Sequence, residues 1–134
     1  MTTKQNKQSP IILGFSGGLD TSFLVPWMKE QLGRPVVTVT INTGGLDAAA
    51  IKDLEQRSKQ LGAVEHVLVE ARQVFFERVL KYLIFGNVRR GHLYPLCVGA
   101  ERVLQAQTVA QWARKLGTEV VAHGSTAAGN DQVR

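Results

Sequence analysis

The sequence predicts an α/β protein with a mostly parallel sheet and helices on both of its faces. Two observations predict it: short apolar or β-branched runs recur along the chain, and stretches with apolar residues at helical spacing lie between them. The 134 residues suffice for one domain with a core of its own. Ligands of such sheets bind where the carboxyl ends of the strands meet helix N-termini, so function is expected at that edge.

Four segments have the composition of strands. The first, Ile11–Phe15, is continuously apolar, as expected of a strand that is covered on both faces. The second, Val36–Ile41, is rich in β-branched residues. A third strand is predicted at Val64–Val69 and a fourth at Val120–Ala122.

Helices are predicted over about 20–32, 47–61, 72–85 and 100–116. Asp47 is expected to cap the second helix, and Gly62 and Gly117 to end the second and the fourth. Pro26 lies inside the first helix, where its missing N–H predicts a late start or a kink. The apolar stripes expected to face the core are Phe23, Leu24, Trp27 and Met28; Ile51, Leu54, Ser58 and Leu61; Phe75, Val79, Tyr82 and Leu83; and Val103, Ala106, Ala110 and Ala113.

Composition and charge exclude several classes of protein. No apolar run reaches the ~20 residues that span a bilayer, and residues 1–10 lack the features of a signal peptide, so we expect a disordered tail there. Cys97, the single cysteine, is expected to be a small buried hydrophobe; it cannot form an internal disulfide, which favours a reducing cytosol. The net charge of +5 suits an anionic ligand, whereas the scattered basic residues argue against a nucleic-acid partner.

The segment between the first strand and the first helix, GFSGGLDTS at residues 14–22, has the chemistry of a phosphate loop. Gly17 and Gly18 allow positive φ angles and a close approach to the backbone amides. Hydroxyl groups beside a helix N-terminus favour an anion. The alternative is a tight turn with Asp20 as an ordinary cap. The loop lacks the Gly-Lys-Ser/Thr of a Walker A loop and the Gly-x-Gly-x-x-Gly of dinucleotide-binding domains.

This loop resembles the SGG-x-D-[ST] pyrophosphate loop of the N-type ATP pyrophosphatases, which adenylate a substrate and release pyrophosphate. The segment HGSTAAGNDQVR at residues 123–134 resembles the HG-[AS]-T-x-x-GNDQVR segment of the argininosuccinate synthases. The resemblance runs from about Ile11 to Arg134 and corresponds to the N-terminal third of those enzymes. It implies a Rossmann-like fold of the adenine nucleotide alpha hydrolase type, C-terminally truncated, with residues 11–134 as an incomplete nucleotide-binding domain.

The same resemblance implies a ligase of arginine biosynthesis. Enzymes of this family join citrulline to aspartate with ATP and Mg²⁺, and release AMP and pyrophosphate. The resemblance also implies a cytoplasmic homotetramer in which a second domain completes the citrulline site, so this chain alone is expected to be inactive. Two other functions stay open, namely another ATP pyrophosphatase, such as an adenylating tRNA-modifying enzyme, and a nucleotide-binding module without chemistry.

Functional residues are carried over from the family only at matching positions. The resemblance assigns catalysis to Asp20 and Asp131. It assigns ATP binding to Gly14, Phe15, Ser16, Gly17, Gly18, Leu19, Asp20, Thr21, Ser22, Ile41, His123 and Gly124. It assigns binding of citrulline and aspartate to Tyr94, Gly99, Thr126, Asn130, Asp131 and Arg134. For His123 a structural role at the end of a strand is favoured over catalysis.

Some residues depart from the family pattern or stand outside it. Gly99 stands where the family commonly has serine and Val103 where proline is common, so one hydroxyl contact to citrulline is lost or is supplied elsewhere. His66 and His92 have no partner at metal-ligand spacing, and we interpret both as non-ligands. Arg89–Arg90 is interpreted as a solvated turn, with a contact to a partner or a phosphate as the alternative.

Overall fold

The computed structural model describes residues 9–91 and 94–125 of the chain. In chain order its elements are β1 (Ile11–Gly14), α1 (Leu19–Leu32), β2 (Val36–Asn42), α2 (Ala48–Gln60), β3 (Glu65–Glu70), α3 (Arg72–Phe75), a π-helical segment (Phe76–Leu80), α4 (Lys81–Phe85), β4 (Arg89–Arg90), β5 (Tyr94–Pro95), α5 (Cys97–Lys115) and β6 (Val121–Ala122). Among these residues, no helix combines the length and the apolar character that crossing a membrane requires.

The main sheet has four parallel strands in the order β3-β2-β1-β6. The chain proceeds from β1 through β2 to β3 on one side, and β6 returns to the other side of β1. The direction of strand order therefore reverses at β1, which makes its carboxyl end the topological switch point of the sheet. The predicted parallel α/β fold is confirmed, and the strands predicted from the apolar runs are present.

Alternate residues of β1 pack into two hydrophobic cores, one on each face of the sheet. Ile11 and Leu13 belong to the core that α1 and α2 cover, which includes Leu54. Ile12 belongs to the core that α5 covers, which includes Ala113. Because helices cover both faces, every residue of this strand is apolar or glycine.

α1 begins directly after Gly18, so the predicted late start is wrong. Pro26 lies inside the helix, and its missing N–H removes the bond that residue 26 would otherwise donate to the Ser22 carbonyl. Phe23 and Trp27 are 60% and 42% exposed, respectively. The buried residues are Thr21, Val25 and Met28, so the predicted stripe matches only in part.

α2 follows its prediction closely. Asp47 is the N-cap residue, and its Oδ1 accepts a hydrogen bond from the Ala50 N–H at 2.8 Å. Gly62 follows the end of the helix with a φ of 93°, a conformation that favours glycine. Leu54 and Ser58 are buried, as predicted.

The predicted third helix covers its expected range but is not regular. A π-helical segment separates α3 from α4, and its wider turn interrupts the helical spacing. Phe75 is buried, whereas Tyr82 is 62% exposed. The prediction of one helix with a continuous buried stripe is therefore wrong.

A short antiparallel hairpin follows, in which Arg89 pairs with Pro95 and Arg90 with Tyr94. The interpretation of Arg89–Arg90 as a solvated turn is wrong, because both residues form the backbone pairs of a strand. The exposed Arg89 side chain donates a hydrogen bond to Asn87 Oδ1 at 3.0 Å.

α5 begins earlier than predicted and turns a different face to the sheet. Its first residue, Cys97, is half-buried rather than fully buried. Val103 is 57% exposed, and Ala113 is the one buried member of the predicted stripe. The burial of Thr108 is compatible with its hydroxyl, because Oγ1 donates to the Leu104 carbonyl at 2.8 Å.

The entry into β1 is fixed at the amino end of the sheet. Arg34 donates from Nε to the Ser9 carbonyl at 2.9 Å and from Nη2 to Ser9 Oγ at 2.8 Å. Thr118 Oγ1 donates to the Pro10 carbonyl at 2.7 Å. Of the predicted disordered tail, residues 1–8 lie outside the described residues.

Candidate functional site

The phosphate loop lies at the switch point of the sheet. Gly14 ends β1 and Leu19 begins α1, so four residues lead from the strand directly to the helix N-terminus. Gly18 is the N-cap residue and supplies no side-chain cap, which leaves the amides of the first turn available to a ligand. Asp20 lies within the first turn instead, so its expected role as the cap in the alternative interpretation is wrong.

Three groups of the loop are hydrogen-bonded to one another. Ser16 Oγ lies 3.2 Å from Thr21 Oγ1 and accepts a hydrogen bond from the Gly18 N–H at 3.3 Å. Thr21 Oγ1 also donates to the Gly18 carbonyl at 3.3 Å. These separations are at the long end for hydrogen bonds. The donors are therefore held together by weak contacts that an anion can replace with stronger, charge-assisted ones.

Neighbouring elements support this loop from two sides. The Phe15 carbonyl accepts from Thr40 Oγ1 of β2 at 2.7 Å, and the Gly17 carbonyl accepts from Arg57 Nη1 of α2 at 2.8 Å. Gly17 has a φ of 71°, and a Cβ at this position would collide with Leu54 Cδ2. A residue other than glycine at position 17 would therefore be strained by its backbone and obstructed by its neighbour.

The chain returns to the same place after β6. A Cβ at Gly124 would lie 2.7 Å from Thr21 Cγ2 and 3.3 Å from Thr21 N, so this glycine packs directly on the first turn of α1. His123 Nδ1 accepts a hydrogen bond from the Ser125 N–H at 3.2 Å, which leaves Nε2 to carry the proton of the neutral ring. Two segments that are about a hundred residues apart in the sequence thus meet at one edge of the sheet.

The remaining predicted ATP-binding residues differ in exposure. Leu19 is 87% exposed, whereas Phe15 is 3% exposed and both its N–H and its carbonyl are hydrogen-bonded to β2, so Phe15 supports the loop from within the core. Ser22 Oγ is buried and has no hydrogen-bond partner among the described residues. Ile41 is half-buried in β2, where it pairs with Val69.

Two of the predicted substrate-binding residues lie in the described part of the chain. Tyr94 is in β5, and Gly99 is in the first turn of α5. A hydrogen bond of 2.5 Å from Thr43 Oγ1 to Glu101 Oε1 joins the first turns of α5 to the segment after β2, at the carboxyl edge of the sheet. Thr126, Asn130, Asp131 and Arg134 lie outside the described residues, as does His92.

A polar network at the ends of β2 and β3 was not anticipated from the sequence. Asn42 donates from Nδ2 to Glu70 Oε1 at 2.8 Å and accepts from the Gly44 N–H at 3.0 Å. Arg72 Nε donates to Glu70 Oε2 at 3.0 Å. The hydrogen bond from Asn42, with a further contribution from Arg72, lowers the pKa of Glu70. The signal in the sequence was a polar residue at the end of each strand, the position at which parallel sheets place functional groups.

The parallel sheet, its switch point and the glycine-rich loop define a domain of the Rossmann-like class. A sequence profile described as "Arginosuccinate synthase N-terminal HUP domain" matches residues 10–134. The chain belongs to the argininosuccinate synthase family, and the matched residues correspond to its N-terminal HUP domain.

Curated relatives agree with this assignment. The argininosuccinate synthase of Pyrobaculum aerophilum is 42% identical over 126 residues, which cover 94% of this chain and 31% of that enzyme. The argininosuccinate synthase of Xylella fastidiosa is 44% identical over 124 residues, which cover 92% of this chain and 30% of that enzyme. The chain therefore spans about a third of the length of the curated relatives it matches.

Solved structures with the same fold are more distant in sequence. An NH3-dependent NAD synthetase from Campylobacter jejuni has a TM-score of 0.67 and 15% identity, covering 88% of this chain and 48% of that one. A predicted subunit of a tRNA methyltransferase from Methanocaldococcus jannaschii has a TM-score of 0.58 and 23% identity, covering 90% of this chain and 55% of that one. These similarities concern the fold alone.

Proposed function

We propose that this chain is the ATP-binding part of an enzyme that joins citrulline to aspartate, with release of AMP and pyrophosphate. The observation that carries the proposal is the contact of Gly124 with Thr21. It unites the two segments that resemble the family, the phosphate loop and the start of the HGSTAAGNDQVR segment, at the switch point of the sheet. Membership in the family supports the reaction, and the geometry supports the place where ATP binds.

In this proposal the phosphate loop holds the β- and γ-phosphates of ATP as they leave as pyrophosphate. The Gly18 N–H and the hydroxyls of Ser16 and Thr21 exchange their weak mutual contacts for bonds to phosphate oxygens. The free amides of the first turn of α1 add partial positive charge. Negative charge that develops on the leaving group is thereby stabilised by groups that are already in place.

Mg²⁺ accompanies ATP in this proposal. Within residues 9–91 and 94–125, no three His, Cys, Asp or Glu side chains form a group that could hold a metal ion. Mg²⁺ is often bound through one or two carboxylates together with substrate phosphates and water. Asp20, exposed in the first turn of α1, is the carboxylate of the loop that would hold it. The ion would neutralise phosphate charge and orient the phosphate chain.

Citrulline and aspartate are proposed as substrates by similarity to the family. Tyr94 and Gly99 are proposed to contact citrulline, together with Asn130 and Arg134. Thr126, Asn130 and Asp131 are proposed to contact aspartate, and a guanidinium such as that of Arg134 is suited to a substrate carboxylate. Gly99 has no hydroxyl to offer to citrulline.

Calorimetric titration of Mg·ATP into the 134-residue chain tests the ATP site. We expect binding that inorganic pyrophosphate competes away, and that AMP, which lacks the two terminal phosphates, displaces only weakly. Ser16→Ala should weaken Mg·ATP binding by about tenfold, the effect of one charge-assisted hydrogen bond, at unchanged stability. Thr118→Ala is the control, because it removes a hydroxyl at the opposite edge of the sheet. It should lower stability without weakening the binding of Mg·ATP.

Failure of a chain shown to be folded to bind Mg·ATP would contradict the proposal for these residues. Binding that AMP displaces as well as pyrophosphate does would also contradict it, because the loop would then make no special contribution to the terminal phosphates.

A further inference from the structure

The peptide between Gly17 and Gly18 is the part of the phosphate loop that is least restrained by its own side chains. Neither residue has a Cβ, so rotation of this peptide plane between two orientations meets little steric resistance. In a trans peptide the C=O and the N–H point in opposite directions. Whatever holds the Gly17 carbonyl therefore also decides where the Gly18 N–H points.

Arg57 of α2 holds that carbonyl. Its Nη1 donates to the Gly17 carbonyl oxygen at 2.8 Å, and its Nη2 donates to Asp53 Oδ2 at 3.0 Å. The guanidinium is planar and rigid, so the bond to Asp53 one turn earlier fixes the direction of the bond to Gly17. Leu54, on the same helix, packs against Gly17.

The opposite side of the peptide faces the hydroxyl groups of the loop. The Gly18 N–H points to Ser16 Oγ at 3.3 Å, and Ser16 Oγ lies 3.2 Å from Thr21 Oγ1. If the peptide rotated, the Gly18 N–H would turn towards α2 and the Gly17 carbonyl would face the hydroxyls. A carbonyl oxygen at that place would repel an anion that the N–H attracts.

We propose that Arg57 is a positioning residue which, through the Gly17 carbonyl, keeps the Gly18 N–H directed into the pyrophosphate site. The identity of the anion rests on the proposed function, whereas the fixed orientation of the peptide is a property of the free chain. A second ion pair on α2, between Lys59 and Glu55, has the same spacing as the pair of Arg57 and Asp53. The hydrogen bond of Lys59 goes to Glu55 of the same helix, whereas Arg57 also bonds to Gly17, so Lys59 provides a matched control for Arg57.

The test compares Arg57→Gln with Arg57→Lys and Lys59→Gln in the full 134-residue chain. Nitrogen-15 relaxation dispersion of the Gly18 amide, without ligand, reports exchange between peptide orientations on the μs–ms timescale. Calorimetry with inorganic pyrophosphate reports the consequence for binding, and urea unfolding reports stability. The amide of Gly33, which follows the end of α1 and where a Cβ would meet nothing within 4 Å, is the internal reference.

We expect Arg57→Gln to introduce exchange at Gly18 but not at Gly33, and to weaken pyrophosphate binding by about tenfold, the effect expected of one displaced charge-assisted donor. Arg57→Lys should lie between Arg57→Gln and the wild type, because its ammonium can still donate to the Gly17 carbonyl. Lys59→Gln removes the same charge from the same helix and should leave the Gly18 amide unchanged and cost less affinity.

Two results would overturn the proposal. One is a Gly18 amide in Arg57→Gln that behaves as in the wild type. The other is an equal loss of affinity in Lys59→Gln, which would show that only the net charge of α2 matters. If the wild-type chain does not bind pyrophosphate, the proposed function fails, but the ligand-free amide measurement still decides whether Arg57 orients the peptide.

Discussion

Among single residues, Gly124 is the point at which the segment after β6 packs against the first turn of α1. The space that its missing side chain leaves is occupied by Thr21, whose methyl group and backbone nitrogen would lie 2.7 and 3.3 Å from a Cβ at position 124. The methyl group could rotate away, but the backbone nitrogen belongs to the first turn of α1 and cannot move alone. Any larger residue would therefore push β6 and α1 apart at the edge where the phosphate loop lies.

We expect Gly124→Ala to lower the free energy of unfolding by about 1–3 kcal/mol, the usual cost of overpacking, and to weaken Mg·ATP binding. Urea unfolding and calorimetry measure the two effects. Gly45→Ala is the control, because a Cβ at Gly45 meets nothing within 4 Å and its φ is not positive. Wild-type affinity in Gly124→Ala would show that the approach of the two segments is not needed for nucleotide binding.

Among the elements, α2 and β3 are joined to β2 by a buried polar cluster. Thr38 Oγ1 of β2 lies 2.6 Å from Ser58 Oγ of α2 and 2.8 Å from His66 Nδ1 of β3. The other ring nitrogen of His66, Nε2, is buried and has no partner among the described residues. Burial lowers the pKa of His66; Lys59 lowers it further, and Glu55 opposes the shift.

We expect the free energy of unfolding to fall at acidic pH because of His66. Because its pKa in the folded chain lies below the ordinary value of 6.5, the unfolded chain binds more protons in the interval between the two values. The free energy of unfolding should therefore fall as the pH decreases below 6.5, by at most about 1.4 kcal/mol per pH unit for one proton, and level off once the folded His66 is protonated as well.

Urea unfolding at about pH 5.5 and about pH 7.5 measures this dependence on either side of the ordinary histidine pKa. His66→Asn, whose amide can still bond to Thr38, should lose the pH-dependent part that His66 contributes. His123→Asn leaves the cluster of Thr38, Ser58 and His66 intact and should keep it. An equal pH dependence in His66→Asn and the wild type would exclude His66 as its source.

Sequence patterns located the elements better than they located the buried face of each helix. The strands were predictable because a strand covered on both faces must be apolar throughout. The buried faces of α1 and α5 include Thr21 and Thr108, whose hydroxyls bond to backbone carbonyls of their own segments. Hydropathy assigns such residues to the surface, so the predicted stripe matches the buried face of each helix only in part.

The position of the loop at residues 14–22 between strand and helix was predictable for a local reason, and its surroundings were not. All of its chemistry lies in nine consecutive residues, so composition and order suffice. The bond from Arg57 to Gly17 joins residues that are 40 positions apart, and nothing in their spacing indicates it. The meeting of Gly124 with Thr21 depends on the return of β6 to the free side of β1, which is a property of the topology.

For the whole molecule, the decisive fact is that the chain spans about a third of the length of its curated relatives. The phosphate loop is complete within the described residues and is supported by β2 and α2 of the same chain. The proposed binding of phosphate groups thus depends on elements of this chain. The proposed site for citrulline rests on Tyr94 and Gly99, at the start of a hairpin strand and of α5, and on the segment after residue 125.

We therefore expect the 134-residue chain to bind Mg·ATP but to form no argininosuccinate. Adenylation requires citrulline to be held in line with the α-phosphorus, and loss of positioning alone removes a large part of an enzyme's rate enhancement. Incorporation of radiolabelled aspartate into argininosuccinate, with the full-length Xylella fastidiosa enzyme assayed in parallel, measures this. Steady product formation by the chain alone, at a rate that Asp20→Asn reduces, would show that the matched third contains a complete active site.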